Sequence, residues 1–194
     1  MTKGEEMAGP AGRSRMAPAD RRALILHAAA TMFRDHGYAG ASVDAIAAAS
    51  GISGPGIYRY FGGKAELLLA LLEAAVAETV AAMNAVPDRS AQTPDDLADI
   101  LAERALSEGA IIALLHGTAA TMEPEDRLRL DQLRRDAVGR LTDALRALRP
   151  DLAASEAEAR IVAALALVGH IERFLATGVP AQSFQRILRS ILRA

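Results

Sequence analysis

Hydrophobic positions recur at helical spacing along most of the chain. Ile25, Ala29 and Phe33 share one face of a segment running from about Pro18 to His36. Gly37 closes that helix, and Tyr38-Ala39-Gly40 reads as a turn. Ser42 suits an N-cap for the Ala-rich stretch 43–49, with Asp44 near the positive end of its dipole and Ile46 and Ala47 inward. Gly51 supplies the positive φ of a sharp stop, and Ser53 is placed to cap a second short helix with Pro55 in its first turn. Ile52, Ile57 and Phe61 face back onto the preceding helix. Gly62-Gly63 breaks the chain, and Lys64 begins an amphipathic helix through Leu67, Leu68, Leu71, Leu72 and Val76 to about Val86.

Residues 87–92 read as a loop. Thr93-Pro94-Asp95-Asp96 then combines an N-cap, a proline at the first helical position and two carboxylates at the dipole's positive end. That helix is predicted to reach about Glu108, where Gly109 bends the chain into the apolar segment Ala110–Met122. Glu123-Pro124 restarts a helix carrying Leu130, Leu133, Ala137, Leu141, Leu145 and Leu148 on one face, and Pro150 ends it. Ser155 with Glu158 forms a capping-box signature for a helix ending near Thr177-Gly178. Pro180 opens the last one, with the stripe Phe184, Ile187, Leu188, Ile191, Leu192. Nine helices result, and no alternating β pattern appears, so the predicted fold class is all-α.

Composition agrees. At 194 residues, 51% of them hydrophobic, the chain can bury a substantial core. Cysteine is absent, so there is no disulfide and no cysteine metal site, which fits a reducing cytoplasm. The first residues lack the apolar core of a signal peptide, and no apolar run approaches a membrane span, so a cytoplasmic protein without a membrane partner is expected. Charge divides unevenly. Residues 1–64 carry eight Lys/Arg against five Asp/Glu, whereas residues 65–194 carry fourteen against nineteen. A basic N-terminal part on an acidic remainder fits a protein with one end on phosphates.

The segment 42–64 has the chemistry of a helix-turn-helix that docks on duplex DNA. Its outward set, Gly54, Pro55, Tyr58, Arg59 and Tyr60, is a short surface of small residues, phenols and one guanidinium that suits a groove. The ordered landmarks Ala28-Ala29, Phe33, Gly37-Tyr38, Ser42, Ile46-Ala47, Ser50-Gly51-Ile52-Ser53, Ile57-Tyr58, Tyr60-Phe61, Lys64 and Leu67-Leu68 resemble the tetracycline-repressor (TetR) family of transcriptional regulators. The resemblance covers roughly residues 20–72. It implies a flexible tail over 1–17, a DNA-binding domain over 18–64 with its motif at about 42–61, and an effector-binding and dimerisation domain over 65–194.

Carried over by position, the resemblance assigns DNA contacts to Ser42, Val43, Ser53, Gly54, Pro55, Tyr58, Arg59, Tyr60 and Lys64. Hydroxyls and helix N-termini donate to phosphates, and Lys64 supplies a point charge. Arg59 is the base reader, to guanine O6 and N7. Tyr58 packed against the first helix, and Lys64 merely solvated, are the alternatives. Family members often carry His where Tyr60 stands and a polar residue where Gly54 stands, so fewer side chains here can read bases. In the tail, Arg13 and Arg15 either reach flanking DNA or are solvated.

The family further implies a homodimer on a palindromic operator, repression by promoter occupancy, and release by a small molecule. Ile161, Leu165, Val168, Phe184, Ile187, Leu188 and Ile191 are the predicted dimer interface; the alternative is that both stripes cover one internal core. Predicted pocket residues are Met83, Arg104, Ile111, Leu115, His116, Thr118, Met122, Arg134 and His170, with the arginines available to an anionic head group. An ordinary core role for His116 and the methionines is the other reading. This wall implies an apolar or amphipathic effector. Enzyme chemistry finds no footing: Glu-x-x-His pairs, nucleophile elbows, phosphate loops and His-Glu-x-x-His are absent, so no catalytic residue, metal or cofactor is expected. A helical scaffold with a vestigial DNA domain would tolerate acidic residues over 53–64, and there are none.

Overall fold

The computed structural model describes residues 16–85, 92–118 and 121–194, without the side chains of residues 110 and 114–117. Among the described residues the chain is helical and forms no strand. Its helices are α1 (Pro18–Gly40), α2 (Val43–Ser50), α3 (Gly54–Ile57), α4 (Lys64–Asn84), α5 (Pro94–Gly117), α6 (Pro124–Leu148), α7 (Ala154–Val168), α8 (Ile171–Ala176) and α9 (Ala181–Arg193). The predicted loop at 87–92 falls outside the described residues except for Gln92, and the tail arginines Arg13 and Arg15 do so entirely.

Glycines and caps shape the N-terminal helices. Gly37, at φ 67° and ψ 175°, kinks α1, and the chain then resumes a helical turn through Gly40 where a turn was expected. The kink buries Tyr38 and stacks it on Phe33 at 5.8 Å between ring centres. Ser42 caps α2 as predicted, its hydroxyl accepting from the Ala45 N–H at 3.1 Å, and Gly51 ends α2 at φ 66°. Both glycine conformations lie where a Cβ is disfavoured. Ser53 occupies the N-cap position of α3, but its hydroxyl makes no capping bond. The helix that follows is a single turn, closed by Tyr60 and Phe61 N–H groups donating to the Ile57 carbonyl at 2.8 and 3.0 Å.

Ile25, Phe33, Ile46, Ile57, Phe61 and Leu67 are essentially inaccessible and form one core. Ile111 of α5, Met122 and Leu130 of α6 belong to the same core, so the C-terminal helices help to hold the N-terminal unit. α4 runs unbroken across the predicted boundary at 64/65.

Two helix boundaries differ from the sequence reading. α5 does not bend at Gly109; it continues to Gly117. A Cβ on Gly109 would lie 2.3 Å from Cγ2 of Ile171, so this glycine lets α8 approach α5 rather than turning the chain. Conversely, the predicted helix 155–177 is broken. Gly169 caps α7, His170 leaves the helical region, and α8 begins at Ile171. The Ser155/Glu158 capping box does not form either. α7 starts at Ala154, after a turn in which Arg149 grips Asp151 through Nε and Nη2 at 2.9 and 2.8 Å. One predicted break vanished and one unpredicted break appeared, so the count of nine among the described residues coincides by compensation.

The second core joins Leu97, Leu101, Leu145, Ile161, Phe184 and Leu188. α5 is its axis, packing on α1, α4, α7, α8 and α9. Between α4, α5, α6 and α7 lies a cavity. No helix among the described residues is long and apolar enough to cross a membrane.

Candidate DNA interface and central cavity

The turn after α3 carries the outward surface. Tyr58 is 58% exposed, which removes the alternative of its packing against α1. Pro55 and Arg59 are exposed beside it, and Gly54 and Tyr60 are half-buried. Tyr60 packs, partly buried, against the N-terminal core, so its ring has a structural role. Ser42 and Ser53 are exposed, whereas Val43 is half-buried against the same core. The Ser42 hydroxyl accepts the cap bond and keeps its own proton to donate.

Lys64 is the first residue of α4, with its ammonium 4.4 Å from the centre of the Tyr38 ring. The ring thus fixes the side chain by a cation–π contact. On the same unit Arg22 lies 4.9 Å over Phe61. These two contacts escaped the sequence reading because each joins residues distant in sequence. Burial, with a smaller contribution from Asp126, raises the Tyr38 phenol above its usual range, so it stays neutral under Lys64. Glu66 accepts from the Gly62 N–H at 2.6 Å, which locks the two-glycine break at the start of α4.

The cavity encloses about 500 Å³. Leu72, Val76, Leu101, Ile112, Val138, Leu141, Leu165 and Val168 give it an aliphatic wall, without an aromatic ring among the described residues. Arg104 and Arg134 are on that wall as expected. Of the other predicted lining residues, Met83, Ile111, Thr118, Met122 and His170 are not. Met83 is buried in the second core, and its carbonyl accepts from Gln92 at 2.6 Å. Ile111 and Met122 belong to the first core. Thr118 is buried away from the cavity at the end of α5. His170 is exposed, its Nδ1 2.8 Å from the Ala166 carbonyl. The side chains of Leu115 and His116 fall outside the described residues. For Ile111, Thr118 and Met122 the misplacement has one cause. With α5 continuous through Gly109, residues 110–122 follow a different face from the one a bend would give.

Neither arginine is an uncompensated charge. Nη2 of Arg104 contacts both Glu78 and Glu108 at 2.8 Å, and Nη1 of Arg134 contacts Asp131 at 2.8 Å. Glu108 is raised above the usual carboxylate range, chiefly by burial, with Arg104 opposing and Glu78 reinforcing the rise. Glu78 and Glu108 also line a cleft against α1, beside His27, Thr31 and Arg34.

The expected dimer residues divide sharply. Ile161, Val168, Phe184 and Leu188 are at most 1% exposed within the single chain, so they serve the internal core, the alternative kept open above. Leu165 and Ile191 are half-buried. Ile187 is 41% exposed, and Val162, one residue from the predicted Ile161, is 49% exposed.

Residues 25–71 match the profile of "Bacterial regulatory proteins, tetR family". Over 68 residues the chain is 44% identical to the HTH-type transcriptional activator FasR of Mycolicibacterium smegmatis; the match takes in 33% of this chain and 31% of that one. The fold is shared more widely. The fatty acid degradation regulator FadR from Bacillus halodurans superposes with a TM-score of 0.71 at 18% identity, over 92% of this chain and 96% of that one. The TetR family transcriptional regulator PfmR from Thermus thermophilus gives 0.60 at 24% identity, over 88% and 97%. Residues 25–71, which hold the helix-turn-helix, are thus similar to the tetR family of bacterial regulatory proteins, and the fold of the whole chain is similar to that of solved regulators.

Proposed function

We propose that the protein is a sequence-specific DNA-binding transcriptional regulator. In this reading it binds a palindromic operator as a homodimer in the cytoplasm, represses by occupancy, and is released by a small aliphatic effector. The observation that carries DNA binding is the α2–α3 surface: Tyr58 and Arg59 exposed, Lys64 held on Tyr38, and no acidic residue from 53 to 64. Ser42, Val43, Ser53, Gly54, Pro55 and Tyr60 frame that surface, with phosphates as partners of the hydroxyls and N–H groups. One such short unit touches few base pairs, and two-fold operators pair with two-fold proteins, which supports the dimer.

With the neighbouring hydrophobics buried internally, Ile187 is the predicted interface residue left open to a second copy, joined by the exposed Val162. The cavity supports the effector, and the likeness in fold to a regulator named for fatty acid degradation supports an acyl chain as its apolar part. The α4–α5 cleft against α1 offers the path by which filling the cavity moves the recognition surface.

Selection of duplexes from a randomised pool, followed by anisotropy titration, tests the first claim; recovery of an inverted repeat is expected, and an unenriched pool would refute it. Ile187→Glu should give a folded monomer with weakened operator binding, read by sedimentation. In vitro transcription from a promoter carrying the selected site decides the sign, and activation there would overturn repression.

A further inference from the structure

The cavity's charges are balanced before any ligand enters. Two cations, Arg104 and Arg134, face three carboxylates, Glu78, Glu108 and Asp131. Even a protonated Glu108 leaves the set without a net positive charge. A further carboxylate here would add an anion that no uncompensated arginine on the described wall meets. The geometry of Arg104 points the same way. Both of its ion pairs use the one nitrogen Nη2, while its Nε is buried with no hydrogen-bond partner. A donor in that condition gains from any acceptor oxygen, and a neutral one brings no charge penalty. Among the described residues the rest of the wall is branched aliphatic and small side chains, with no ring to stack on a flat ligand.

Resting on the effector reading above, we infer that the cavity selects an uncharged aliphatic acyl compound, such as an ester or another neutral carbonyl derivative, and rejects the corresponding free carboxylate. The chain lies along Leu101, Val138 and Leu165, and the carbonyl oxygen takes the unmet N–H of Arg104. Glu78 and Glu108 therefore act as selectivity residues, because they cancel the charge that would otherwise attract an acid.

Calorimetric titration of the full chain with methyl decanoate and with sodium decanoate tests this, with operator binding followed in parallel. The ester should bind more than about tenfold tighter, since about 1.4 kcal/mol is a factor of ten. In Glu78→Gln/Glu108→Gln the preference should shrink or invert as the acid gains. Arg104→Lys keeps a cation for the two glutamates but loses the planar Nε–H, and should weaken the ester several-fold. Tighter binding of decanoate by the unaltered protein, no binding of either probe, or a ratio unchanged in the glutamine variant would overturn the inference. A single Glu108→Gln variant reads the same ratio if the double variant does not fold. Ester binding that leaves operator affinity unchanged would instead sink the regulatory reading and leave the selectivity standing.

Discussion

The DNA-facing unit and the cavity-bearing bundle are built from the same helix-forming residues, yet they hold their specific features differently. In the first, short-range devices dominate: the Ser42 cap, the Gly51 stop, the Glu66 bond to Gly62, and Lys64 beside Gly63. In the second, the defining features join residues far apart in sequence: Ile171 seated on Gly109, Glu78 on Arg104, Arg189 on Asp99. Residues 25–71 match a family profile by sequence, whereas the likeness to FadR across nearly the whole fold is carried at 18% identity. A unit that meets an unvarying phosphate backbone has little freedom in its surface chemistry. A bundle that must enclose a cavity needs only helix lengths and buried volume, which many sequences satisfy.

The strongest test of that division asks whether the two regions are one cooperative structure. Phe61 and Phe184 are both fully buried, one in each core, and Ile111, Met122 and Leu130 tie the C-terminal helices into the first. Phe61→Ala and Phe184→Ala should each destabilise the chain by about 3–5 kcal/mol and shift a single calorimetric transition. Two resolved transitions, with Phe61→Ala moving only one, would mean that the shared residues do not couple the regions.

The next effect belongs to the close approach in the bundle. Gly109→Ala should cost about 1–3 kcal/mol by forcing Ile171 away, read by denaturant midpoint. A neutral result would show that Ile171 gives way freely and that the close approach of α8 does not require a glycine at 109. A Val168→Glu substitution, by contrast, reports on folding rather than dimerisation, since Val168 is 1% exposed within one chain.

At the DNA surface the comparison is between two cations. Arg59→Ala should weaken the selected site by about 1–3 kcal/mol and relax preference at one base pair. Lys64→Ala should weaken all duplexes alike and lower the salt slope by about one. Reversed behaviour of the pair would show that Lys64, though anchored on Tyr38, is the base reader.

The smallest effect is the acid dependence of the α5–α9 ion pairs. Asp95 and Asp99 are held below the usual carboxylate range, chiefly by bonds accepted from Arg193 and Arg189 respectively. A depressed folded-state value gives stability that is complete above the ordinary range near about 4 and is lost as pH falls through the lower folded value. Asp99→Asn should therefore be less stable than the unaltered protein at about pH 6, and the gap should close at about pH 2. A gap that persists in acid would assign the loss to the Gln185 hydrogen bond on Asp99, at 2.8 Å, rather than to charge.

Taken by itself, the sequence was enough for the all-helical class, for most helix starts and for the composition of the DNA-facing surface. Caps, prolines and positive-φ glycines act within a few residues, so their physics is written locally. Gly109 and Gly169 show where that ends. Locally both are helix breakers of equal strength, and only the partner differs: Ile171 rewards an unbroken α5 at the first, while the chain stops at the second to bring Ile171 there. The same holds for the stripes of α7 and α9. Their spacing announces an apolar face, but whether Ile161 and Leu188 meet a second copy or their own core depends on which helices pack against them. Arg104 and Arg134 were legible as polar groups of a cavity; that their charges arrive already neutralised was decided by α4 delivering Glu78 and by the turns of α5 and α6 that place Glu108 and Asp131.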